Sequence, residues 1–123
     1  MDRQQVLHNF FASFGVPAYD QYSVPDDKIE TFPRITYESA VGDLFDQTAI
    51  SADLWDRSSS WATVANLFNQ VSDAIGHGGI ALPCDGGGLW IKKGQPWMRR
   101  MVDESDTSIR RMHLNLYVEF ITT

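Results

Sequence analysis

Ile109-Arg110-Arg111-Met112-His113-Leu114-Asn115-Leu116-Tyr117-Val118-Glu119-Phe120-Ile121 is the stretch that decides how this chain folds. Met112, Leu114, Leu116, Val118 and Phe120 fall at every second position, and His113, Asn115, Tyr117 and Glu119 fill the gaps. A side-chain period of two belongs to a strand whose two faces differ. The pattern predicts a long strand with one face in the core and the other toward solvent. Coming last, it is expected to lock a sheet laid down by the earlier segments.

The stretch before it is less regular. Residues 84–97, Cys84-Asp85-Gly86-Gly87-Gly88-Leu89-Trp90-Ile91-Lys92-Lys93-Gly94-Gln95-Pro96-Trp97, gather a lone cysteine, three consecutive glycines, two lysines and two tryptophans. Ile80-Ala81-Leu82 begins an extended segment, Cys84 to Gly88 interrupts it, and Leu89-Trp90-Ile91-Lys92 resumes it. Glycines inside a strand mark a bulge or a close backbone approach, so one bent strand is expected here. Residues 93–108 have no period and mix Trp97, Met98, Met101 and Val102 with charges. They read as a long, partly mobile loop.

Further upstream, Trp61, Val64, Ala65, Phe68, Val71 and Ile75 form a helical stripe that ends at Gly76, preceded by the cap-forming run Ser58-Ser59-Ser60. Thr48 to Asp56 alternates Ile50, Ala52 and Leu54 against Ser51, Asp53 and Trp55, which predicts a strand. Arg34 to Ala40 predicts its partner, and the two are expected to pair as a hairpin with a longish loop. Residues 17–33 hold Pro17, Pro25 and Pro33 and read as a surface loop. Val6, Leu7, Phe10, Phe11 and Phe14 place an amphipathic helix over residues 3–14, stopped by Gly15 and Pro17. The expected fold is α+β: a two-layer sandwich of a mainly antiparallel four-stranded sheet with both helices on one face, in the order α-β-β-α-β-β.

At 123 residues the chain is expected to form a single domain, 1–123. A single cysteine excludes an intrachain disulfide framework. A net charge of −6 disfavours a phosphate backbone as the main ligand, so no nucleic-acid specificity is expected. Met1-Asp2-Arg3-Gln4-Gln5 is followed by no long apolar run, and nothing approaches the roughly 20 apolar residues of a membrane span. The expectation is a soluble, cytoplasmically made protein with no membrane partner.

The candidates for chemistry are weak. Cys84 has no histidine at a spacing that points to it, and no local cysteine-protease signature surrounds it. The three glycines fit neither phosphate-loop pattern, and a strand rather than a helix follows them. His77-Gly78-Gly79 echoes an esterase oxyanion loop, but the chain has no GxSxG elbow. Asp53 and Asp56 flank Trp55 and read as solvated acids on an outward face. His8, His77, His113 and Cys84 lack zinc-site spacing. No catalytic, metal or cofactor-binding residue is therefore expected, and no cofactor.

Large rings are the more suggestive feature. Trp55 and Tyr117 fall on the outward faces of their strands, and with Trp90 and Trp97 they put large rings where a monomer does not need them, the alternative being partial cover by the 17–33 or 93–108 loop. Exposed aromatic, methionine and arginine side chains mark interfaces, which makes Trp55, Trp90, Trp97, Met98, Arg99, Arg100, Met101 and Tyr117 the candidate oligomer or partner surface.

Over nearly its whole length the chain resembles the tail terminator (tail-completion, tail-to-head joining) proteins of long-tailed bacteriophages, which are often labelled minor capsid or tail-component proteins. The resemblance runs through Pro17-Ala18-Tyr19, Val24-Pro25-Asp26-Asp27, Phe32-Pro33-Arg34-Ile35-Thr36-Tyr37 and Ala52-Asp53-Leu54-Trp55-Asp56-Arg57-Ser58. It continues through Ile75-Gly76-His77-Gly78-Gly79, Pro83-Cys84-Asp85-Gly86-Gly87-Gly88 and Arg110-Arg111-Met112-His113-Leu114-Asn115-Leu116. The order and spacing of these pieces carry it. It implies a non-enzymatic virion protein that forms a homo-oligomeric, typically hexameric ring at the tail–head junction. Such a ring ends polymerisation of the major tail-tube protein and offers its other face to the head–tail connector. Loops 17–33, 42–47 and 93–108 are the natural contacts. The alternatives are a connector or stopper of the neck, and a small α+β enzyme or ligand-binding module using Cys84–Lys93.

Overall fold

The computed structural model describes residues 1–122. Its elements are α1 (Arg3–Ala12), β1 (Ala18–Asp20), a single 3-10 turn (Asp26–Lys28), β2 (Arg34–Tyr37), β3 (Gln47–Arg57), α2 (Ala62–Ile75), β4 (Ile80–Cys84), β5 (Gly87–Val102) and β6 (Ile109–Ile121). The six strands form one mixed sheet in the order β1-β2-β3-β6-β5-β4. It is curled into a half-barrel, with α1 packed against β1 and β2 as well as β4 and β5, and α2 against β3, β5 and β6.

The four-stranded antiparallel sandwich expected from the sequence is thus incorrect in strand number, pairing and order. Two strands account for the difference. β1 lies inside the proline-rich segment and pairs in parallel with β2, Ala18 opposite Ile35. Three residues are too few to show a period, and their pairing is supplied by the neighbouring strand. The other case is the stretch expected to form one bent strand. It is a β4–β5 hairpin in which Cys84 faces Gly87 across the turn Asp85-Gly86, with Gly86 at φ 84°. A non-glycine residue reaches that conformation only at a cost.

Residues 93–102 are also not a loop. They continue β5 alongside β6, from Met98 opposite Leu114 to Val102 opposite Arg110. A break in register between Lys93 and Met98 shifts the side-chain phase halfway along the strand. This is why no single period is visible there. Only the tip connecting β5 to β6 lies outside the strands.

β3 and β6 pair along their whole facing lengths, from Gln47 opposite Glu119 to Arg57 opposite Ile109. That register puts Ile50, Ala52, Leu54, Leu114, Leu116 and Val118 on the helix-covered face, all buried. α1 adds Val6, Leu7, Phe10 and Phe11, and α2 adds Val64, Leu67, Val71 and Ile75. The Phe11 ring stacks on Tyr37 at 5.0 Å and 15°. α1 starts in a capping box between Asp2 and Gln5. In α2 the cap position is Trp61 rather than a serine, and Ser60 Oγ accepts from the Ala62 N–H at 3.1 Å just ahead of the first turn.

Candidate interaction surface

The face of the sheet turned away from the helices carries the less ordinary chemistry. Arg34 on β2, Trp55 on β3 and Arg111 on β6 stand side by side in one row across three strands. The Arg34 guanidinium lies 5.1 Å from the Trp55 ring centre and 4.7 Å from that of Phe32. Arg111 covers Trp55 at 4.6 Å, and Arg57 approaches Phe32 at 5.1 Å. Cation and ring therefore alternate, each cation against a π face. Trp55 Nε1 donates to Thr36 Oγ1 at 2.9 Å, which fixes the indole in the row.

Asp53, only 4% exposed, sits in the next row and ties this array down. Its Oδ1 accepts from Arg111 Nε at 2.9 Å and from His113 Nδ1 at 2.8 Å. Asp53 and Asp56 are thus not solvated acids: both are buried, and strand alternation points them to opposite faces. Rings and guanidinium stems from adjacent strands exclude water from Asp53, which a single-strand pattern does not show. Arg34 donates to the carbonyls of Ile29 and Thr31. Burial pulls its pKa down, against the opposing pull of Glu30 and Tyr19.

The eight residues expected to form an interface divide between two faces. Trp55, Trp90, Arg99, Met101 and Tyr117 share the helix-free face. Trp90 Nε1 donates to the Gly78 carbonyl at 3.0 Å, and Lys92 Nζ lies 4.4 Å over its ring. Trp97, Met98 and Arg100 belong to the helix side. Trp97 meets Phe68 edge-on at 5.8 Å and donates to Ser72 Oγ at 3.3 Å, Met98 packs on the core, and Arg100 covers Trp61 at 4.6 Å. Sequence reasoning did not find Arg34, Asp53, Arg111 or His113. Alternation marks the last three as sharing a face, but only the β3–β6 register brings them into contact.

Elsewhere the polar groups are scattered. The Cys84 thiol is half-buried, and burial raises its pKa, which keeps it protonated at neutral pH. An open cleft of about 480 Å³ beside α1 is lined by His8, Asp20 and Tyr37, with His8 Nδ1 2.7 Å from Tyr37 Oη. A second, apolar groove of about 420 Å³ runs between α1, the end of α2 and β4. Among the described residues no group of three or more His, Cys, Asp or Glu could hold a metal ion. No described helix is long and apolar enough to cross a membrane.

Compared with protein-family models, the chain matches none, and no curated protein matches it.

Proposed function

We propose that this chain is a ring-forming structural subunit that caps the head-proximal end of a phage tail tube. In that role it ends tube polymerisation and presents its other side to the head–tail connector. The observation that carries this reading is the outer half of β5. β4 pairs with β5 only from Gly87 to Ile91, so beyond Ile91 that side of β5 has no partner strand. The register break, Pro96 and the arginines blunt this edge against indiscriminate strand pairing, and leave its side chains free for a specific neighbour. Val102 at the end of this stretch is 78% exposed, as expected of a surface awaiting a neighbour. The sequence resemblance supplies the particular assembly.

Tube subunits polymerised with and without the protein provide the test, viewed by negative-stain microscopy. The expected result is tubes that stop growing, each carrying an extra ring of density at one end. Tubes that elongate unchanged, with bare ends at saturating protein, overturn the proposal. Binding to the connector alone would move the protein to the neck.

A further inference from the structure

The basic residues are not spread evenly over this acidic chain. Of ten Lys and Arg residues, six lie on β5 and β6, with Glu119 the one acid in those strands. Seven of the sixteen acids lie between residues 18 and 46, against Lys28 and Arg34. β5 and β2 flank the β3–β6 pair on opposite sides, about three strand spacings or roughly 14 Å apart. Arg34 and Met101 stand in the same row, so the charged segments beside them are level with one another.

The basic flank carries Arg99, Arg100 and Val102, all exposed. Among the described residues no carboxylate lies within 4.0 Å of either arginine, whereas Arg57 and Arg111 both have one. The acidic flank is the turn before β2, where Asp26, Asp27 and Ile29 are exposed and neither aspartate has a basic partner within that distance. Each flank therefore shows an exposed apolar side chain beside unpaired charge: two arginines on the β5 flank, and two aspartates against the single Lys28 on the other, so the net signs are opposite.

We infer that the partner of the open β5 flank is a second copy of this chain, docked through its Asp26–Ile29 flank. This rests on the ring-forming reading above and names the surfaces that join the ring. The contact is head-to-tail: each copy uses one flank for the neighbour on one side and the other flank for the next. Contacts of this kind close into a ring when the rotation between copies permits. Opposed charges steer the encounter, suppress like-with-like pairing and set the register, while Val102 and Ile29 lose water between them.

The test is a charge swap, with association followed by mass photometry and sedimentation velocity. Arg99→Glu with Arg100→Glu makes both flanks acidic, and Asp26→Lys with Asp27→Lys makes both basic. Arg100 also covers Trp61, so Arg99→Glu alone is measured beside the double variant, and thermal melts check that each folds. Each double variant alone is expected to associate at least tenfold more weakly than the unaltered chain. An equimolar mixture of the two is expected to recover assembly, because every contact is again acid against base. Folded variants that assemble normally, or a mixture that stays monomeric, overturn the flank assignment. If the unaltered chain still forms capping rings in that case, the ring reading stands. Association that obeys the swap without any binding to tube ends keeps the flanks and removes the tail-terminator reading.

Discussion

The two faces of the sheet bury their side chains by different means. On the helix side, Leu89, Ile91, Leu114, Leu116 and Val118 are sealed by α1 and α2, and hydrocarbon transfer from water stabilises the layer. On the other side no helix covers the sheet, yet Arg34, Thr36 and Asp53 are all buried. Rings and guanidinium groups from neighbouring strands cover them, and the Asp53 carboxylate is hydrogen-bonded by Arg111 and His113. The first kind of burial depends on filling volume rather than on particular polar partners. The second depends on particular partners, so its failures are chemical rather than volumetric.

The sharpest way to break the comparison is truncation on the helix side. Leu114→Ala is expected to cost about 2–5 kcal/mol, because the site is fully enclosed and collapses poorly. Urea denaturation measures it, and a loss under about 1 kcal/mol would mean that the helix layer packs loosely. On the opposite face Asp53→Ala leaves Arg111 and His113 without their acceptor and is expected to cost about 1–3 kcal/mol. Asp53→Asn should recover part of that loss; equal losses in both variants would show that packing rather than hydrogen bonding decides. Trp55→Phe keeps a ring between Arg34 and Arg111 but drops the bond to Thr36, at about 1 kcal/mol. A loss as large as that of Asp53→Ala would make the tryptophan, not the acid, the centre of the array.

The smallest effect lies at the β5–β6 tip. Asp106 accepts from the Ser108 hydroxyl and N–H and from Arg57, which lowers its pKa to about 2. In the unfolded chain an aspartate titrates near 3.9. The folded pKa is the lower one, so the contribution to stability is complete above about 3.9 and fades as pH falls through 2. The protection factor of the Ser108 amide, its exchange rate relative to the unfolded chain at the same pH, should hold above about pH 4 and fall as pH drops toward 2. Asp106→Asn should abolish that pH dependence, and an unchanged profile in this variant would place the acid response elsewhere.

Much of the helix side was legible in the sequence because one periodicity governs it. Val64, Val71 and Ile75 recur at helical spacing, and β3 and β6 alternate strictly. β5 was not legible because it serves two masters along its length. Leu89 and Ile91 face the core, then the irregularity after Lys93 resets the phase, and Arg99 and Arg100 end on opposite faces, neither of them apolar. β1 was hidden by its brevity. The Asp85-Gly86 dipeptide is a recognisable hairpin signal, but the two glycines that follow dilute it. The Arg34–Trp55–Arg111 row lies beyond any local pattern, since its members come from three strands and meet only through register.

The separation of charge along the sheet has an electrical consequence. A molecule of net charge −6 repels its own kind as a monopole, but basic β5–β6 strands beside an acidic residue 18–46 segment also give it a dipole across the strands. At separations beyond the Debye length, about 8 Å at physiological ionic strength, both fields are screened. Inside it, the dipole turns approaching copies so that unlike flanks face, while the monopole penalises every other orientation. Net charge and dipole then act on different steps, the first thinning encounters and the second sorting them.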